Sequence, residues 1–85
     1  MRFNKGDKWY NPGGYEVVLS EKEHEMQKNK KLGFAAHIES SLHPSRWVAI
    51  IFYTKNNTRK RIKLLSNDIE IAKKAIKEKF KKLTN

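Results

Sequence analysis

The sequence predicts an α+β fold: an antiparallel sheet of three or four strands, packed by one C-terminal helix. Residues 46–54 are dense in β-branched and aromatic types, which suit a pleated and buried strand. Residues 67–83 repeat apolar residues at spacings of three and four, the pattern of an amphipathic helix. Between them lie a polar break and a basic strand, residues 59–65. We therefore expect a unit of strand, turn, strand and helix, to which the rest of the chain attaches.

The first 32 residues are expected to form an arm and a connector before a core of residues 33–85, all in one domain. The arm carries Phe3, Trp9 and Tyr10 ahead of a Pro-Gly-Gly turn signal, and these rings either fold back on the core or stack on bases. Residues 15–19 are the candidate fourth strand at the sheet edge. Residues 20–31 are charged and lack an apolar stripe, so we expect a mobile connector.

The three core strands are expected at residues 33–39, 46–54 and 59–65, joined as a meander. The first alternates apolar and polar residues, as a half-buried strand does. The second is apolar on both faces, which places it at the centre of the sheet. Residues 40–45 are expected to form a loop, because Pro44 lacks a backbone donor and keeps the preceding residue out of the helical region.

The last strand divides its side chains between two faces. Ile62 and Leu64 share one face with Lys60, and the other face presents three basic residues, Arg59, Arg61 and Lys63. Since one helix covers only one face, the basic face is expected to receive either the N-terminal arm or a ligand.

The helix has clear boundary signals. Asn67 is the predicted N-cap, and Glu70 three residues later completes a capping-box pattern. Lysines near the last turn suit the helix dipole.

Charge is concentrated in the C-terminal part of the chain. The net charge is +10; residues 1–54 hold eight Lys/Arg against six Asp/Glu, and residues 55–85 hold eleven against three. Such a field attracts polyanions, nucleic acid first and then an anionic membrane or an acidic protein, although a lysine-rich surface also serves solubility.

Several functions are not expected from this composition. The chain has no cysteine and no apolar run long enough to span a bilayer, so we expect a cytoplasmic protein without a membrane partner. His24, His37 and His43 share no metal-ligand spacing, and no phosphate loop or nucleophile motif is present. We expect no metal, no cofactor and no enzymatic activity; a basic nuclease using His37 or His43 is the enzymatic alternative.

The basic strand and its turn form the candidate site, since five of the nine residues from Lys55 to Lys63 are basic. Two-stranded ribbons fit the DNA major groove, where Arg and Lys reach phosphates and base acceptors. The predicted contacts come from seven residues: Lys55, Arg59, Lys60, Arg61 and Lys63, with Trp47 and Tyr53 as stacking rings. A solvated, charge-protected sheet edge would look similar.

Residues 46–80 resemble the arm-site-binding N-terminal domain of tyrosine-recombinase integrases and the plant APETALA-type DNA-binding domain. The shared pattern is Trp47, the basic strand, the break at Ser66-Asn67, and a helix with Glu70 and Ala72. The resemblance implies a three-stranded sheet that enters the major groove. The chain carries no recombinase catalytic domain and residues 1–32 have no counterpart, so the resemblance implies a stand-alone module and not an integrase.

We therefore expect a non-enzymatic nucleic-acid-binding protein, with double-stranded DNA favoured over RNA. The alternative is a small phage or mobile-element protein that binds and inhibits a host or rival protein. A double-stranded-RNA binder would need a leading amphipathic helix, which residues 20–31 supply poorly.

Overall fold

The strands of the protein form a single antiparallel sheet whose spatial order follows the chain. A computed structural model describes residues 1–41 and 46–85. The elements in these ranges are β1 (Arg2–Lys5), β2 (Tyr15–Val18), α1 (Glu21–Asn29), β3 (Gly33–Ser40), β4 (Trp47–Lys55), β5 (Thr58–Ser66) and α2 (Ile69–Thr84). The predicted α+β class, with one antiparallel sheet and a C-terminal helix, is confirmed. The predicted strand number of three or four is wrong, because the sheet has five strands.

The candidate fourth strand at residues 15–19 is confirmed as β2, but it is not at the sheet edge, because a fifth strand, β1, from the residues expected to form an arm, pairs with its outer side. Phe3 on β1 pairs with Val17 on β2, and Tyr15 on β2 pairs with Ile38 on β3. Phe3, Tyr15 and Val17 pack against the main core cluster. β1 has only four residues, too few to show a clear period of two in the sequence.

A second helix replaces the connector expected at residues 20–31. The Oγ atom of Ser20 accepts from the Glu23 backbone N–H, and the Glu23 carboxylate accepts from the Ser20 N–H, which together make a capping box. Glu23 also forms an ion pair with the N-terminal amine of Met1. No residue of α1 is buried. The sequence did not predict this helix, because caps and an ion pair, rather than an apolar stripe, stabilise it.

The predicted core strands agree with β3, β4 and β5 to within about one residue at each end. Asn56 and Asn57 form the turn between β4 and β5 with φ angles of 54° and 62°, as a tight hairpin requires. Of the loop predicted at residues 40–45, Ser40 belongs to β3. Residues 42–45, which include His43 and Pro44, lie outside the described residues.

The C-terminal helix begins one residue later than its predicted cap implies. Asp68, not Asn67, is the N-cap, and its Oδ1 accepts from the Glu70 N–H at 2.9 Å. The Ser66 hydroxyl accepts from the Asp68 N–H at 3.1 Å and fixes the turn into the helix. The capping position therefore moves by one residue, because Ser66 rather than Asn67 shapes this turn.

The core lies between α2 and one face of the sheet. Its fully buried residues are Ile38, Ala49 and Ile51 from the sheet and Ala72 and Ile76 from the helix. A second cluster joins Leu32 to Phe80 and Leu83 near the end of α2, and the Phe80 ring meets Phe34 edge-on at 5.0 Å. Among residues 1–41 and 46–85, no helix has both the length and the apolar character needed to cross a membrane.

Candidate nucleic-acid interface

Alternation along the strands divides the sheet into a covered face and an open face. The covered face carries Ile38, Ala49 and Ile51 and packs on α2. We call the opposite face of β3, β4 and β5 the open face. Its side chains belong to Gly33, Ala35, His37 and Glu39 on β3, to Val48, Ile50, Phe52 and Thr54 on β4, and to Arg59, Arg61, Lys63 and Leu65 on β5.

Three cations line the open face along β5. Arg59, Arg61 and Lys63 are exposed, and they pair in register with Thr54, Phe52 and Ile50 of β4. Within the part of the chain that the structure describes, none of the three forms an ion pair with a carboxylate. Their charge is therefore available to an anionic ligand.

An exposed aromatic ring lies beside this basic row. The Phe52 side chain is 41% exposed, and the guanidinium carbon of Arg61 lies 5.6 Å from its ring centre. On the other side, the His37 ring is stacked at 6.3 Å with an interplanar angle of 23°. Three planar groups, from β3, β4 and β5, thus form a diagonal row across the open face.

Small side chains leave room next to Phe52. Ala35 is its direct partner on β3, and Gly33 pairs with Thr54 one step nearer the hairpin. A shallow groove of about 260 Å³ lies there, and Arg59 lines it together with Phe52. The groove therefore combines an apolar floor, an aromatic wall and a positive charge.

The carboxylates on this side of the sheet lie away from β5. Glu39 on β3 is engaged by His37, whose Nε2 lies 2.8 Å from the Glu39 Oε2. Glu16 on β2 accepts a hydrogen bond of 3.2 Å from the Asn11 side chain. Negative charge thus lies toward β2 and β3, while positive charge lies along β5.

The structure separates the seven predicted contact residues into two groups. Arg59, Arg61 and Lys63 lie together on the open face. Lys60 and Tyr53 pair with each other on the covered face, where Trp47 and Lys55 also lie.

Three of these covered-face residues have partners within the protein. The Trp47 ring packs against Tyr15 at 5.8 Å. The Nζ of Lys79 lies 5.1 Å from the Tyr53 ring centre. The Nζ of Lys55 donates to the main-chain oxygen of Leu83 at 3.0 Å. The Tyr53 and Lys55 contacts join the hairpin to α2, the Trp47 contact joins β4 to β2, and all three lie on the face opposite to the basic row.

Phe52 was absent from the predicted contacts, yet it is the aromatic residue beside the basic row. The signal was present in the sequence: Phe52 falls in the row of the central strand opposite to Trp47 and Tyr53. Counting strand positions through the Asn56-Asn57 turn pairs Phe52 with Arg61 and would have placed the ring on the basic face.

Trp9 and Tyr10 do not fold back on the core; their side chains are 80% and 91% exposed. They lie in the loop between β1 and β2, which is stabilised by side-chain hydrogen bonds of Asn11 and Asp7. The Asn11 amide is buried and donates to the main-chain oxygen of Ile38 at 3.1 Å, and the Asp7 carboxylate accepts from the Trp9 N–H at 2.7 Å. A Cβ on Gly14 would lie 2.2 Å from the Ile38 oxygen, so only glycine allows this close approach.

The described residues include no group of three or more His, Asp or Glu side chains placed to hold a metal ion. Comparison of the chain with protein-family models, curated proteins and solved structures gives no match. Arguments about function therefore depend on the geometry and charge of the open face.

Proposed function

We propose that the protein is a non-enzymatic nucleic-acid-binding protein that uses its open face. The observation that carries this proposal is the row of Arg59, Arg61 and Lys63 on β5, exposed and free of carboxylate partners among the described residues. Successive side chains on one face of a β-strand lie about 6.6 Å apart, which is close to the spacing of phosphates along an extended single strand of nucleic acid. Arg and Lys are the side chains that most often contact phosphate.

The charge of the whole chain supports the same proposal. With a net charge of +10, the protein attracts polyanions over a distance of about one Debye length, roughly 8 Å at physiological salt. The basic row on β5 then gives this attraction a defined contact surface. Release of counterions from the phosphates would supply much of the affinity.

The proposal includes no catalytic step. The enzymatic alternative, a nuclease, would use the imidazole of His37, which is engaged by Glu39 at 2.8 Å. We expect a labelled strand to remain intact after prolonged incubation with the protein and Mg²⁺. Cleavage that disappears in His37→Ala would instead support the nuclease.

The test is a salt series measured by fluorescence anisotropy with labelled nucleic acid and the Arg59→Ala/Arg61→Ala protein. Each lost phosphate contact should lower the slope of log affinity against log salt by about one, so the double variant should lose about two. Binding of the intact protein should persist at about 150 mM salt.

The matched control removes two charges elsewhere. Lys74→Ala/Lys81→Ala changes the net charge by the same amount on the exposed surface of α2. If both double variants reduce the slope equally, the attraction comes from net charge alone, and the open-face proposal is wrong. If the salt slope falls in Arg59→Ala/Arg61→Ala and not in Lys74→Ala/Lys81→Ala, the result supports the open-face proposal.

A second candidate function is binding to a protein partner, and the loop between β1 and β2 favours it. Trp9 and Tyr10 are almost fully exposed on a loop that Asn11 fastens to β3. Aromatic residues on rigid, exposed loops are common binding hot spots. This candidate would suit the expected inhibitor of a host or rival protein.

Purification after nuclease treatment separates the two candidates. A protein-directed function requires one partner in a fixed stoichiometry that survives nuclease and is lost in Trp9→Ala/Tyr10→Ala. If that variant retains its partner, or if nuclease removes all bound material, this second candidate is wrong.

A further inference from the structure

The open face has a feature that phosphate contacts alone do not use: the exposed Phe52 ring and the groove beside it. A surface that binds only phosphates requires cations, and β5 supplies them. An exposed phenyl ring is costly to leave in water, and rings of this kind beside Arg side chains are the surfaces on which unpaired bases stack.

The width of the sheet limits which form of nucleic acid can lie on it. Five strands at a spacing of about 4.8 Å span about 19 Å, whereas the major groove of B-DNA is about 12 Å wide. The complete sheet therefore cannot enter a major groove face-on; only the open face of β3, β4 and β5, about 10 Å between its outer strands, is narrow enough to do so. A single strand meets no such limit, because its bases can turn toward the sheet while its phosphates follow one edge.

We propose that the open face binds a single strand of nucleic acid, with one base stacked beside Phe52 in the groove floored by Ala35 and its phosphates on the β5 cations. This inference rests on the proposed nucleic-acid function and names the form of nucleic acid. Its departure from the expected duplex DNA follows from the position of the ring, because a single strand can turn an unpaired base toward Phe52 and a duplex cannot.

The geometry near the ring fits a planar ligand. Ala35 lies opposite Phe52, and Gly33 is one step away on the same face of β3. Because these side chains are small, they leave space beside the ring. Arg59 lines the same groove and can contact the phosphate or the edge of a stacked base. The guanidinium carbon of Arg61 and the ring centre of His37 lie 5.6 Å and 6.3 Å from the Phe52 ring centre, and these two contacts position the ring.

The experiment compares labelled probes of about 12 nucleotides at about 150 mM salt. The probes are a single-stranded DNA, the same strand with three central abasic sites, its duplex, and the matching single-stranded RNA. We expect the intact single strands to bind more tightly than the duplex. We expect abasic sites to weaken binding by about 5- to 100-fold, the usual effect of losing a stacked base. The RNA probe distinguishes the two sources of single strand.

Phe52→Ala should weaken binding to the intact strand by a similar factor while leaving the salt slope unchanged, because no phosphate contact is lost. It should not weaken binding to the abasic strand further, since the two changes remove the same contact. Phe52→Trp should retain affinity. Ala35→Leu fills the groove with the ring intact and should reproduce the loss even if Phe52→Ala reduces stability.

Ile71→Ala is the control, because it removes an apolar side chain that is 55% exposed on α2. The single-strand proposal is overturned if Phe52→Ala binds like the intact protein, if abasic sites have no effect, or if the duplex binds best. Those results would not contradict the proposed nucleic-acid function, because the Arg59→Ala/Arg61→Ala variant tests the basic row independently. Absence of binding to all four probes would overturn the nucleic-acid function itself.

Discussion

Arg61 and Phe52 face each other across the β4–β5 pair, with the guanidinium carbon 5.6 Å from the centre of the ring. The contact joins a positive charge to an apolar surface at the middle of the open face. It also fixes which side of β5 faces a ligand, because neighbouring residues of a strand point to opposite faces.

Lys60 and Arg61 therefore provide a sharp comparison between adjacent residues. Arg61→Ala should weaken nucleic-acid binding and lower the salt slope by about one. Lys60→Ala removes the same charge one position earlier, on the covered side, and should change the slope much less. Anisotropy titrations at several salt concentrations measure both. Equal effects of the two variants would contradict an interface confined to the open face.

Asn11 is expected to matter for stability although it lies in a loop. It is 6% exposed, and its amide donates to the main-chain oxygen of Ile38 at 3.1 Å. Asn11→Ala leaves that buried oxygen without this donor and should reduce the free energy of unfolding by about 1–3 kcal/mol. Urea unfolding measures the change. Asn4→Ala, an exposed asparagine in β1, is the control and should have little effect.

The apolar stripe of α2 gives a prediction about the core. Ile76 is fully buried against the sheet, so Ile76→Ala should cost about 2–5 kcal/mol. That is a large part of the roughly 4–13 kcal/mol expected for a domain of this size. Ile71→Ala on the exposed side of the same helix should cost about 0.5 kcal/mol or less. If Ile76→Ala and Ile71→Ala reduced the free energy of unfolding by similar amounts, the result would contradict the observed orientation of α2.

Glu23 links stability to pH. Burial by itself raises the pKa of Glu23, but hydrogen bonds from the N-terminal amine and from Ser20 outweigh it, so the pKa lies below its ordinary value of 4.5. Its charged form therefore stabilises the folded state above pH 4.5, and this contribution is lost as the pH falls through the lowered pKa.

The test compares the intact protein with Glu23→Gln in urea at pH 7 and at acidic pH. The intact protein should be the more stable at pH 7, and the difference between the two should shrink as the solution is acidified below pH 4.5. A difference that stays constant across this range would mean that ionisation of Glu23 does not contribute to stability.

The sequence was sufficient for the elements with long, regular patterns. β4 was predicted because nearly all of its nine residues are apolar, β-branched or aromatic, and α2 because its sixteen residues repeat apolar positions at spacings of three and four. The faces of β5 followed from the same alternation. The pairing of Phe52 with Arg61 was equally accessible, but only by counting through the turn at Asn56.

The N-terminal elements depend on contacts between distant residues. β1 is identified as a strand by its pairing with β2, since four residues carry no clear alternation. α1 has no buried residue, and its capping carboxylate meets the amine of Met1, more than twenty positions away. Patterns within a short window cannot reveal such long-range partners.

The order of strands in the sheet has a consequence for synthesis of the protein. Every strand pairs with the one made just before it, so the sheet can assemble hairpin by hairpin as the chain leaves the ribosome. The apolar surface of Ile38 and Ile51, however, is covered by Ala72 and Ile76 of α2, which is made after all five strands. A nascent chain whose strands have paired therefore exposes the apolar face of its sheet to solvent until α2 emerges. During that interval it is most open to aggregation and to chaperones.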